Sequence, residues 1–291
     1  MKIRETFPDL CPVMTRTSKI VSHSNEKGGV GKSTITFNQA CRLAEQGRRV
    51  LILDYDGQRN MTKTLFGGNM SLVEKAEKVA FTTADLFSPN TKIEEVRVCE
   101  SPLSPNIHFI PSHKAKIAEV MNSGADKAKL LIENPKKFIY QLDYDYILID
   151  TPPSLGITQL SAIATVDLIF IPVTIDDYSN EGLESLLKTM QGIKRSLKAK
   201  VELGGIYINN FEKPARRMGE NPEEELLENL KKDYGEWLIE PYIPRSKNIK
   251  EARMKGLPAW VKAPNGNAAL VGRKLRNAID SINDRINKRM K

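Results

Sequence analysis

Two lysines and three glycines fall within the eight-residue run Lys27-Gly28-Gly29-Val30-Gly31-Lys32-Ser33-Thr34. Binding a phosphate needs closely spaced backbone N–H donors, a fixed cation and a backbone able to curl around the anion. Glycines supply the last, and a helix beginning just after the loop offers its positive end. In such a cradle Lys32 faces the β- and γ-phosphates of a nucleotide, Ser33 ligates Mg²⁺ and Thr34 supports the α-phosphate. The strict spacing GxxxxGK[ST] is not met, because Glu26 stands at its first glycine position; a strand before the run and a helix after it carry the reading instead. Three carboxylates, Asp54, Asp56 and Asp150, follow continuous apolar runs, at the strand ends where α/β sheets collect ligands. Taken singly, each could equally cap a turn or helix.

These residues need strands and helices to hold them in place. The apolar runs 19–23, 50–54, 146–150, 167–173 and 203–208, and the shorter 106–110, are continuous rather than alternating, as in strands covered on both faces. Helical periodicity spans 33–46, closed by Gly47, and also 180–197 and 222–232. The alternation predicts a single α/β domain over 19–291, a doubly wound, mostly parallel sheet with helices on both faces, after an extension at 1–18. Residues 57–105 read as a long polar excursion.

The run from Lys27 to Thr34 resembles the deviant Walker-A motif of the ParA/MinD family of P-loop ATPases. Asp54-Tyr55-Asp56-Gly57-Gln58-Arg59-Asn60 is similar to that family's DxDPQGN segment, with Gly57 for the usual Pro and Arg59 for the usual Gly. Ile149-Asp150-Thr151-Pro152-Pro153-Ser154-Leu155-Gly156 resembles its Walker-B and switch segment. Ile243-Pro244-Arg245, Glu251-Ala252 and Gly256-Leu257-Pro258 resemble its IPR…EA…GxP stretch. The resemblance implies ATP and Mg²⁺ as cofactors. It implies Asp150 as a water-mediated Mg²⁺ ligand, Asp54 as support for the metal shell and Asp56 as the residue that positions the attacking water. Lys27 resembles the lysine that reaches across an ATP-sandwiched homodimer to the partner's phosphates. Asn209 or Asn210, ending the fifth long run, is placed to read adenine, with Pro244 lining the base.

That family divides by what it holds. ParA-like members bind nonspecific double-stranded DNA as ATP dimers and are released when a ParB-like adaptor stimulates hydrolysis. MinD-like members bind membrane through a C-terminal amphipathic helix, and a branch resembling nitrogenase iron protein holds an iron–sulfur cluster. Cys11, Cys41 and Cys99 form no CxxC pair and none follows Cys99, which excludes the cluster and predicts reduced thiols. Residues 245–291 carry 13 Lys/Arg against three acids, a net +10, leaving −2 for the other 244 residues of a chain whose total is +8. Lys247, Lys250, Arg253, Lys255, Arg273 and Arg276 are the candidate phosphate contacts for DNA. Val271, Leu275, Ala278, Ile279, Ile282 and Ile286 form one helical stripe that reads as core docking. That stripe lacks the aromatic residues and free linker of a membrane anchor. The chain has no run of 18 apolar residues and its N-terminus does not read as a signal peptide. Residues 1–18 are too few for a helix-turn-helix domain, so sequence-specific DNA binding is not expected. The leading expectation is a cytoplasmic, nucleoid-associated partition ATPase that positions a plasmid, chromosome or similar cargo. Its alternative is a MinD-like membrane-associated positioning ATPase. A ligase on the same scaffold would need a dedicated substrate pocket, for which the sequence has no motif.

Overall fold

The computed structural model of the chain describes residues 18–175, 180–212 and 222–290; Cys11 and the extension up to residue 17 lie outside the described residues. The apolar runs become β1 (Lys19–His23), β2 (Val50–Asp54), β4 (Ile107–Ile110), β5 (Tyr146–Asp150), β6 (Leu168–Val173) and β7 (Glu202–Ile208). Two-residue strands, β3 (Cys99–Glu100) and β8 (Leu238–Ile239), close the edges. The strand order is β3-β4-β2-β5-β1-β6-β7-β8. Every pairing is parallel except β3 with β4. Strand parity sends alternate side chains to opposite faces, and each face meets its own helices. Ile20, Leu51, Leu53, Ile147 and Ile149 pack with α5 (Ala125–Ile139), α6 (Ile157–Thr165), α7 (Asn180–Ser196) and α8 (Pro222–Tyr234). Val21, Val50, Ile52 and Leu148 pack with α1 (Lys32–Glu45), α2 (Asn60–Leu65), α3 (Met70–Val79), α9 (Lys247–Met254) and α10 (Gly266–Arg289). The remaining helix, α4 (Lys114–Met121), lies between β4 and α5 in the chain.

The polar stretch 57–105 is folded. It folds into α2, α3, two 3₁₀ turns and β3, and buries Met61, Leu65, Val73, Leu86 and Phe87. Its polar residues mark the outer faces of short helices, so composition concealed them. The predicted stripe on the last helix docks as expected: Val271, Leu275, Ala278, Ile279, Ile282 and Ile286 are buried against the sheet. Cys41 and Cys99 are buried free thiols. Among the described residues no helix is long and apolar enough to cross a membrane.

Candidate functional site

The site is built at the carboxyl ends of three adjacent strands. His23, Asp150 and Asp54 occupy the same level on β1, β5 and β2, as Cα partners across the sheet. The loop after β1 turns into α1 through Gly31, which caps the helix at φ 97°. That backbone region favours glycine, and a Cβ there would also run into the Asn209 amide. No side chain caps the helix, so the N–H groups of its first turn are left for an anion. The loop is pinned from behind, where Asn25 Nδ2 donates to the Pro172 carbonyl (2.7 Å) and Asn209 Nδ2 to the Val30 carbonyl (2.8 Å). Gly28, Gly29 and Lys27 stand exposed at its rim, while Val30 is buried.

Lys32 is buried, its Nζ donating to the carbonyls of Asn25 (2.7 Å) and Lys27 (2.8 Å). Burial pulls its ammonium down to about 8, against the opposing pull of Asp150 and Asp56. Asp150 is fully buried and neither carboxylate oxygen has a hydrogen-bond partner. Burial and the neighbouring Asp54 push its pKa up, while Ser33 and Arg253 act the other way. Asp54 is also raised, chiefly by burial. Its oxygens accept from Thr62 Oγ1 (2.6 Å), Thr62 N (2.8 Å) and Asp56 N (3.1 Å), so Asp54 fastens the loop running from β2 into α2. Asp56 is half-buried, with Oδ1 accepting from Gln58 N (2.9 Å).

An orphaned buried carboxylate beside a serine at a helix start fits Mg²⁺ ligation through water. Among the described residues no three His, Cys, Asp or Glu converge into a metal cage, and Mg²⁺ held mainly by phosphates and waters requires none. The residues present therefore fit both groups: the 27–34 loop for phosphates, Ser33 and Asp150 for the metal.

The structure places the other sequence candidates at several points around this loop and on α9 and α10. Asn209 is buried beneath the loop, whereas Asn210 is exposed at φ 54°. Pro244 is drawn beside them by a parallel bridge to Phe211. Lys247, Lys250, Lys255 and Arg273 are exposed on or beside α9 and α10. Arg276 is only half-exposed and pairs with Glu45 of α1 at 3.7 Å. Arg253 departs further: its Nε is buried without a hydrogen-bond partner. Burial pulls the guanidinium below its usual range while Asp150 and Asp54 hold it up. The residue as a whole is half-buried on α9.

Sequence reasoning missed a polar cluster under the loop. His23 Nε2 meets Gln39 Oε1 (2.8 Å) and Nδ1 meets the Tyr207 hydroxyl (3.0 Å), while Gln39 Nε2 donates to Asn283 Oδ1 (2.9 Å). Burial pushes His23 down to about 4, so its imidazole is neutral. No signal at sequence level joins positions 23, 39, 207 and 283. Arg59 takes φ 60° as the N-cap of α2 and forms an ion pair with Glu77 of α3.

The protein family described as AAA domain matches residues 18–203. Over 87% of this chain and 94% of its own length, the sporulation initiation inhibitor protein Soj of Bacillus subtilis is 30% identical. The chromosome-partitioning ATPase Soj of Treponema pallidum is 31% identical over 80% of this chain and 86% of its own. Among solved structures, apo McdA from Cyanothece superposes with a TM-score of 0.73 over 92% of this chain and 99% of that one, at 19% identity. That likeness is one of fold.

Proposed function

The chain belongs to the AAA-domain family of ParA-like P-loop partition ATPases, and from that premise we propose that it hydrolyses ATP with Mg²⁺ to position a DNA or similar cargo. The observation that carries the reading is the juxtaposition of an uncapped α1 N-terminus, the buried Lys32 ammonium and the unpartnered Asp150 carboxylate. Lys32 neutralises the β- and γ-phosphates, Ser33 and Asp150 hold the metal, and Mg²⁺ supplies charge neutralisation at the transferring phosphate. Asp56 orients water. Lys27 stands at the rim, as a residue reaching a second protomer's phosphates must. Asn209 or Asn210 with Pro244 receives the base; the exposed Asn210 is the better placed, since the Asn209 amide already supports Val30.

ATP closes a homodimer, and the dimer binds double-stranded DNA without regard to sequence through Lys247, Lys250, Lys255 and Arg273. A ParB-like adaptor then triggers hydrolysis and release, which makes the protein cytoplasmic and nucleoid-associated. Burial of the α10 apolar stripe argues against the MinD-like alternative, because a docked stripe has nothing to insert into lipid. The test is a salt titration of binding to unrelated duplexes and to anionic liposomes, with ATP and with ADP. ATP-dependent DNA binding that falls steeply with salt is the expected result. Equal affinity in both nucleotide states, or binding to liposomes alone, would overturn the proposal.

A further inference from the structure

The short helix α4 touches both loops that carry the site's carboxylates. It buries Ile117 fully, while Val120 and Met121 are half-buried. Its lead-in is fixed to Asp54: the Ser112 N–H donates to Thr62 Oγ1 (3.0 Å), which in turn donates to Asp54 Oδ2 (2.6 Å). Its middle is fixed by Lys116, paired at 2.9 Å with Asp85 of the 3₁₀ turn Thr83–Phe87, and the Thr83 hydroxyl donates to the Asp54 carbonyl (2.7 Å). Ile117 lies against Gly57, the residue after Asp56. A Cβ on Gly57 would meet Ile117 Cγ2 at 3.4 Å and the Lys114 carbonyl at 3.8 Å. At the far end of α4, Met121 lies over Gly156 of the segment that follows Asp150. A Cβ on Gly156 would collide with the Met121 methyl and come within 3.1 Å of its sulfur. Thr158 Oγ1 donates to the same sulfur at 3.5 Å. Gly156 is extended (φ −170°), backbone open to any residue, so what glycine provides there is room for Met121.

Phosphoryl transfer to water depends chiefly on positioning, because the attacking water and the metal must converge on one phosphate. Asp56 stands on the loop that Ile117 backs, and Asp150 heads the segment that Met121 covers. We propose that α4 fixes the spacing of these two loops, with Ile117 and Met121 as positioning residues for the hydrolytic step. The inference rests on the reading of Asp56 as the residue that orients water. Ile117 supports the first loop at Gly57, which has no side chain of its own to anchor it. Met121 fills the room left at Gly156. Truncating either side chain lets one loop settle toward α4 and lengthens the reach across the phosphate. Neither residue belongs to the 27–34 loop, so ATP is held as before while its water is misplaced.

Steady-state ATP hydrolysis and titration with a fluorescent nucleotide, both on the full chain, test this. Ile117→Ala and Met121→Ala should each lower kcat about tenfold while ATP affinity stays within about twofold. Met121→Leu, which keeps most of the volume, should recover most of the rate. Gly156→Ala should slow turnover in the same way, because its methyl displaces Met121. Combined with Met121→Ala, which vacates that space, it should turn over faster than either single variant. Urea denaturation establishes that each variant is folded under the assay conditions; should Ile117→Ala fail to fold, the half-buried Met121 and its pairing with Gly156 carry the test. Folded Met121→Ala with an unchanged kcat would overturn this inference alone. So would a loss that appears in ATP affinity rather than in kcat, or a Met121→Leu protein as slow as Met121→Ala. Unimpaired turnover in Asp56→Ala would overturn the reading of Asp56 and this inference with it.

Discussion

At the scale of single residues, Lys32 and Asp56 divide binding from turnover. Lys32→Ala removes the buried cation proposed to face the phosphates, a charge-assisted contact of about 3 kcal/mol. ATP affinity should drop about a hundredfold or more, measured by titration with a fluorescent nucleotide. The same ammonium gives a pH signature. In the free chain it loses its proton near pH 8, whereas phosphate binding requires the charged form. Affinity should therefore be level below pH 8 and fall about tenfold per pH unit above it; a flat profile to pH 9.5 would contradict the burial seen here. Asp56→Ala leaves the phosphate cradle and Asp150 intact. It should bind ATP normally and turn over about a hundredfold more slowly, as read by phosphate release. Loss of ATP binding instead would place Asp56 among the metal's supports. The motif residues were legible because their chemistry is local: a glycine loop and strand-end carboxylates are written in consecutive positions. Arg253 was not legible. Whether a basic residue on an amphipathic helix is exposed or half-buried depends on how that helix docks, which neighbouring residues do not record.

At the scale of elements, the long strands and most of the long helices could be read, whereas α5, α6 and the shortest elements could not. The continuous runs at 50–54 and 146–150 match β2 and β5 to the residue, since burial on both faces demands uninterrupted apolar side chains. α6 carries no charged residue and is almost wholly buried, so it lacks the polar face by which a helix is recognised. α5 contains Pro135, a residue that ordinarily ends a helical pattern. α10 could be read over its full apolar stripe and makes a direct prediction. Leu275 is fully buried, so Leu275→Ala should cost about 2–5 kcal/mol by transfer and cavity effects together. The midpoint of urea denaturation should shift accordingly; a change below about 1 kcal/mol would mean that α10 is only loosely docked.

At the scale of the whole molecule, the basic helices and the helix that follows the phosphate loop lie on the same side of the sheet. Helices α9 and α10, which carry the exposed Lys250 and Arg273, pack on the face that also holds α1. Of the segment that carries the +10 excess, Lys247, Lys250, Lys255 and Arg273 are exposed on or beside the two helices of that face. Lys250→Glu combined with Arg273→Glu should abolish DNA retention in a gel-shift assay at physiological salt while basal ATP hydrolysis stays within about twofold, since both side chains are exposed on α9 and α10 and neither belongs to the 27–34 loop or its carboxylates. Loss of hydrolysis along with DNA binding would show that the surface and the site are not separable in this way. One protomer offers few contacts, so the salt dependence should steepen when two protomers present their lysines together.

The two-residue strands at the sheet's margins have a bearing on how copies of the chain meet. A long open margin would offer a row of unpaired N–H and C=O groups to any neighbouring chain. Here β3 pairs with β4 through only Cys99 and Glu100, and β8 with β7 through only Leu238 and Ile239. Two copies that met edge to edge along these strands could form at most a couple of ladder bonds. Margins this short give edge-to-edge association between copies of the chain little to build on.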